Sequence, residues 1–146
     1  MVYKARYIIL LLCMLILVLF TGCSQNDSDS QYYTDAKQFN NIYFETVGNL
    51  ETADAMKTME KLQTEESKKS LEILGKLLES IKDNIPKEKE HLYENFKNRY
   101  DDLVFLSESY AKFNELSREE KREMGIILVN IGMDIENWED NNSTII

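Results

Sequence analysis

Apolar residues recur at intervals of three and four along most of this chain, and this spacing is the feature that most constrains its fold. It is the repeat of an amphipathic helix, and from Gln31 onward no segment alternates apolar and polar residues as a half-buried strand would. Helix-breaking residues are also scarce, because the 146 residues include one proline and five glycines. The pattern predicts an all-α domain, an up-and-down bundle of three to four helices.

The first predicted helix covers 31–62, and Gly48 weakens it midway. The polar run that follows, 63–70, allows two interpretations. Either one helix continues to Ile85, which at about 1.5 Å per residue would make it about 80 Å long, or the chain turns near Thr64, a suitable N-cap. We predict the turn. The second helix then carries a regular packing seam at Leu71, Leu74, Leu78, Ile81 and Ile85.

The third predicted helix starts at about Pro86, which suits a first helical turn, and runs to about Asn114. Its apolar face is rich in aromatic residues. Ser117 and Glu120 are spaced as a capping box, which predicts that a fourth helix opens here and continues to about Glu139. The final residues, 141–146, are predicted to fray.

The fourth predicted helix is apolar over more than one face, which is typical of a central helix or of an interface. One heptad seam consists of Met124, Leu128, Ile131, Ile135 and Trp138. Much of the remaining circumference is taken by Ile126, Ile127, Val129 and Met133. Gly125 and Gly132 are seven residues apart and so lie on one side, where another helix could approach closely. These two glycines are therefore a candidate helix interface.

The amino terminus has the layout of a secretory signal. Lys4 and Arg6 precede an unbroken apolar run of 14 residues, 7–20, which is followed by Thr21, Gly22 and Cys23. A helix that crosses a membrane needs about 20 apolar residues, so this run is short for a retained single-pass anchor, the alternative interpretation. We predict that residues 1–22 are removed as a signal peptide.

The sequence Leu19-Phe20-Thr21-Gly22-Cys23 resembles the lipobox of bacterial lipoproteins, with Phe20 where that pattern usually has leucine. The resemblance implies cleavage between Gly22 and Cys23 and attachment of diacylglycerol to the Cys23 sulfur. Fatty acyl chains such as palmitate would then hold the protein on the extracytoplasmic face of the cell membrane. Cys13 would leave with the signal, so no thiol would remain for a disulfide, a metal or a nucleophile.

The mature chain divides into three predicted parts: a lipidated cysteine with a polar tether over 23–30, the helical bundle over 31–140, and the tail. Without Lys4 and Arg6 it carries 15 basic and 26 acidic residues, a net charge of −11. This charge argues against nucleic-acid binding, which needs a basic face. It could attract a cationic peptide, although solubility is the simpler explanation.

Residues that could form a catalytic or metal site are scarce. His91 is the only histidine, and with Glu88 it gives a single Glu-x-x-His pattern, whereas di-iron bundles need two. No glycine-rich phosphate loop or serine nucleophile motif is present. We therefore expect no enzyme activity, no metal and no cofactor.

Tyr93, Phe96 and Tyr100 form an aromatic stripe that could stack on a glycan or peptide, although such spacing more often belongs to a core. The run 91–100 is similar in texture to small Gram-positive lipoproteins, including those described as cell-wall-binding. We expect a non-enzymatic interaction module for an envelope protein or wall component. The alternatives are self-protection, meaning bacteriocin immunity or phage superinfection exclusion, and an envelope enzyme.

Overall fold

Five α-helices and two short 3-10 segments make up residues 26–143, the part of the chain that the computed structural model describes. The helices are α1 (Asn26–Val47), α2 (Ala55–Leu62), α3 (Glu65–Asn84), α4 (Tyr93–Ser109) and α5 (Arg118–Ser143). No strand occurs among these residues. The all-α prediction is confirmed, whereas the expected count of three to four helices was too low.

The helix predicted over 31–62 is in fact two helices. α1 ends at Val47, immediately before Gly48, and the chain reverses through 48–54. Asp54 then caps α2 by accepting a hydrogen bond from the Lys57 amide at 3.2 Å. The buried Thr58 hydroxyl donates to the Glu51 carbonyl at 2.9 Å, which fixes the reversal. Apolar spacing continues across this turn, so periodicity alone could not reveal it.

α1 begins five residues before 31, the predicted start of the bundle, so 26–30 are helical. Acidic residues at Asp27 and Asp29 favour a helix start, because they complement the positive end of the helix dipole. The signal peptide, Gly22 and Cys23 lie outside the described residues, as does the end of the predicted tail. The carboxy-terminal part of the predicted tether is therefore helical.

The turn at Thr64 is confirmed. The Thr64 hydroxyl accepts a hydrogen bond from the Ser67 amide at 3.2 Å, and α3 begins at Glu65. The chain does not form one long helix through 63–70. Along α3 the predicted seam faces the core. Its buried members are Leu74, Leu78 and Ile81, and its partly buried members are Leu71 and Ile85.

The third predicted helix is shorter than expected, because residues 87–92 form a 3-10 segment and α4 ends at Ser109. The Pro86 carbonyl accepts the first i,i+3 hydrogen bond of this segment, from the Lys89 amide at 2.8 Å. The capping box of α5 is confirmed. Ser117 donates its amide to the Glu120 carboxylate at 2.8 Å, and its hydroxyl accepts from the Glu120 amide at 3.2 Å.

The core lies between α1 and the four other helices, with most of the α1 packing against α3. Phe39 and Tyr43 of α1 are almost completely buried, and Phe39 meets Phe96 of α4 edge-to-face, with ring centroids 5.2 Å apart. α5 packs on α1 and α2. Its buried side is formed by Met124, Ile127, Leu128 and Ile131. α5 therefore covers one side of the bundle instead of occupying its centre.

Candidate functional site

The most distinctive surface of the described structure is on the outer side of α5. Ile126, Val129 and Met133 are 51%, 61% and 50% exposed. Steps of three and four residues place them on one side of the helix, opposite the buried side. We call these three residues the α5 outer face. Two other large apolar side chains among the described residues are exposed, Tyr33 at 55% and Met56 at 41%, and they lie on other helices.

The two glycines predicted as a helix interface flank this face. A Cβ atom built on Gly125 would meet nothing within 4 Å, so none of the described helices packs there. A Cβ atom on Gly132 would approach only the Thr52 hydroxyl, at 3.7 Å, in the loop between α1 and α2. Close helix packing at these glycines is therefore open to a second molecule. In the part of the chain that the structure describes, neither glycine is a contact between helices.

Charged residues mark both ends of the α5 outer face. Arg122 lies about one turn before Ile126, and Glu136 lies about one turn after Met133; both are exposed. Arg122 makes an ion pair with Glu119 at 3.4 Å, in which both side chains are mostly exposed. Such a pair contributes little stability, about 0–1 kcal/mol. Arg122 is thus available to an incoming partner at small cost.

The predicted aromatic stripe belongs mainly to the core. Phe96 is only 8% exposed and packs against Phe39, and Tyr93 and Tyr100 are partly buried against the same core. The Tyr100 hydroxyl oxygen lies 2.9 Å from the position that a Cβ would take on Gly75. The tyrosine ring therefore occupies the space beside α3 where Gly75 has no side chain. The three rings do not form one exposed surface.

A second polar site, which the sequence patterns did not reveal, joins three helices. Arg99 of α4 donates to both oxygens of Asp134 on α5, at 2.9 and 3.3 Å, and to the Asn40 side-chain oxygen at 3.2 Å. The Tyr43 hydroxyl donates to Asp134 at 3.1 Å. The guanidinium also lies over the rings of Tyr43 and Phe44, 5.1 and 5.3 Å from their centroids.

This cluster borders a small pocket of about 290 Å³, lined by Asn40, Phe44, Arg99, Asp134, Asn137 and Trp138. Its polar groups already bind one another. Burial, and then the Asp134 carboxylate, raise the pKa of Tyr43 well above its usual value, so the phenol stays protonated as a donor. The arrangement ties α1, α4 and α5 together, and we assign it a structural role. No local sequence pattern pointed to it, because its members are far apart in the chain.

A larger groove of about 510 Å³ lies where the end of α1 meets α2 and the start of α3. Two of its hydroxyl groups are already used: Thr46 donates to the Ile42 carbonyl at 2.7 Å and Thr64 to the Lys61 carbonyl at 2.9 Å. These bonds hold the backbone of the groove walls. Its other polar lining residues are Glu45, Asn49, Lys61, Glu66, Ser67 and Ser70.

Titratable groups outside these sites are dispersed. Asp102 of α4 is half-buried, and burial together with Asp101, Glu123 and Asp134 raises its pKa to about 6. His91 and Glu88 are exposed on the 3-10 segment. Among the described residues no group of three metal-ligating side chains could hold an ion, and no helix is long and apolar enough to cross a membrane.

The predicted lipidation and cleavage positions, Cys23 and Gly22, lie outside the described residues. No family model matches the sequence, and neither a curated protein nor a solved structure shows detectable similarity to it. The surface of α5 and the amino-terminal sequence are therefore the observations from which function is inferred.

Proposed function

We propose that this protein is a lipid-anchored, extracytoplasmic interaction module of a bacterial envelope, and that it acts without catalysis through the α5 outer face. The observation that carries the proposal is the grouping of Ile126, Val129 and Met133, each at least half exposed, on one side of a helix whose other side builds the core. Contiguous exposed apolar surface is typical of an interaction site.

The amino-terminal sequence supports the membrane location. The apolar run over 7–20 and the lipobox-like Thr21-Gly22-Cys23 are followed by only two residues before α1 begins at Asn26. Two acyl chains on Cys23 would give a stable anchor, whereas a single chain binds marginally. Such a short connection would keep the bundle close to the membrane surface. A partner would then be an envelope protein, or a wall component, at that depth.

The location is tested by growing cells with an alkyne analogue of palmitate. The wild-type chain should take up the label and fractionate with membranes, whereas Cys23→Ala should do neither. The matched control is Cys13→Ala, since that cysteine leaves with the signal and its removal should change nothing. Equal labelling of the wild type and Cys23→Ala would contradict the proposed anchor.

The interaction surface is tested by affinity recovery from crosslinked cells, read by mass spectrometry. We compare the wild type with Val129→Asp, which places a charge in the α5 outer face, and with Met56→Asp, a matched change at an exposed apolar residue of α2. A specific partner should be recovered with the wild type and Met56→Asp and lost with Val129→Asp. Recovery of the same partner from all three would show that it binds elsewhere.

A further inference from the structure

The α5 outer face is complementary to itself, and we propose that a second copy of this chain occupies it, with the two α5 helices antiparallel. This inference rests on the surface named in the proposed function and identifies the partner. Val129 is the most exposed member of the face, and it lies midway between Arg122 and Glu136, seven residues from each.

Helix geometry places all three residues on the same side. Seven residues correspond to about 700° of rotation, about 20° short of two full turns, and to a rise of about 10 Å. If a two-fold axis passes beside Val129, Arg122 of each copy lies level with Glu136 of the other. The dimer would gain two equivalent ion pairs. A parallel pairing would instead set arginine against arginine and glutamate against glutamate, so charge selects the antiparallel arrangement.

The charge distribution along α5 supports this choice. Arg122 is the last basic residue of the chain, and the sequence from 123 to 146 contains only acidic charges. Glu136 therefore has no basic neighbour on its own helix within reach of an i,i+4 contact. A cation for this end of the face must come from another element or another molecule, and in the antiparallel pair the second Arg122 supplies it.

The shape of the surface fits a second helix as well. Gly125 and Gly132 precede and follow Val129 on the same flank, and a Cβ atom at Gly125 would meet nothing within 4 Å. Small residues allow helix axes to approach to about 8 Å, the lower end of the normal range. Ile126 of one copy would lie within about one residue of Met133 of the other, since these residues are three before and four after Val129. The flexible methionine can adapt to that contact.

The test is disulfide crosslinking, in cells under mild oxidation, of full-chain variants that each add one cysteine to α5. At Val129→Cys the two thiols would face each other across the two-fold axis, so we expect a dimer band. At Ile126→Cys and Met133→Cys the two equivalent positions would be offset by about 9 and 12 Å along the axis, beyond the reach of a disulfide. We expect at least fivefold less dimer from each alone, and recovery of dimer when the two variants are co-expressed.

Charge exchange provides a second readout in the Val129→Cys background. Arg122→Glu and Glu136→Arg should each lower the dimer fraction at least fivefold, and the double variant Arg122→Glu/Glu136→Arg should restore it. The wild type, with its own cysteines, sets the background, and Met56→Cys controls for random collision. Equal crosslinking at 126, 129 and 133, or no rescue by the double variant, would overturn the antiparallel pairing.

A photo-crosslinking amino acid at 129 separates failure of this inference from failure of the proposed function. An adduct at twice the monomer mass is expected. Adducts only of other masses would overturn self-association while keeping α5 as an interaction surface. Absence of any adduct at 129 would overturn both.

Discussion

Replacing Asp102 with asparagine should stabilise the fold at neutral pH and have little effect in acid. This carboxyl is half-buried on α4, and its pKa is raised from 3.8 to about 6. Burial is the largest cause, followed by the negative charges of Asp101, Glu123 and Asp134. All these influences disfavour the ionised form, so the folded protein bears a cost whenever Asp102 is charged.

The magnitude follows from proton linkage. At about 1.4 kcal/mol per pKa unit, the shift corresponds to about 3 kcal/mol as an upper limit. Because the side chain is still partly exposed, solvent screening reduces this to about 1 kcal/mol. Below about pH 3 the group is protonated in both states and there is no penalty. As the pH rises from about 4 to about 6, the folded state keeps a proton that the unfolded state has lost, so stability falls, and above about 6 the full penalty applies.

The assay is urea unfolding of the purified protein at about pH 7.5 and about pH 3, for the wild type and Asp102→Asn. We expect a gain of about 1 kcal/mol in the free energy of unfolding at the higher pH and almost none at the lower. Asp83→Asn, at an exposed aspartate of α3, controls for the loss of one negative charge. An equal effect of Asp102→Asn at both pH values would refute the reasoning, as would destabilisation at pH 7.5.

Three further changes can be followed by the same unfolding assay. Asp134→Ala should lower the free energy of unfolding by about 2 kcal/mol, because it leaves the partly buried Arg99 without its carboxylate partner. A loss below about 0.5 kcal/mol would show that this ion pair does not stabilise the fold. Ser117→Ala should cost about 1 kcal/mol and fray the first turn of α5, visible as faster amide exchange there; unchanged exchange would contradict the capping role. Gly75→Ala would place a Cβ 2.9 Å from the Tyr100 hydroxyl oxygen. Its change in the free energy of unfolding should therefore be about 1 kcal/mol less favourable in the wild type than in a Tyr100→Leu background. Additive effects of the two changes would contradict that contact.

Most of the helical structure could be predicted because its determinants are local. The start of α3 was predicted from Thr64, and the start of α5 from the pair Ser117 and Glu120, since each cap is a hydrogen bond between near neighbours. The break after Val47 was missed because apolar residues keep their spacing through the turn. Asp54, an N-cap residue type three positions before its bonded amide, was the local signal that could have revealed it.

Close approach between helices could not be read from glycine positions alone. Gly125 and Gly132 were predicted to admit a helix, yet the glycine that faces a packed aromatic ring is Gly75, which was not singled out. A glycine shows where a side chain is missing, but only the tertiary arrangement shows which neighbour takes the space. The Arg99–Asp134 ion pair could not be predicted for the same reason, because its partners are 35 residues apart and belong to different helices.

The burial of the two apolar faces of α5 likewise depends on the tertiary arrangement. Its sequence predicts a helix that is apolar on more than one face and leaves open whether the second face is buried inside the bundle. The structure separates adjacent residues: Ile127 is 5% exposed, whereas Ile126 is 51% exposed. Among the described residues the core is already filled by the first face, so packing between them gives no reason for the second face. Solubility disfavours such a face, since contiguous exposed apolar surface promotes association. A surface that neither the fold nor solubility requires is best explained by a contact with another molecule.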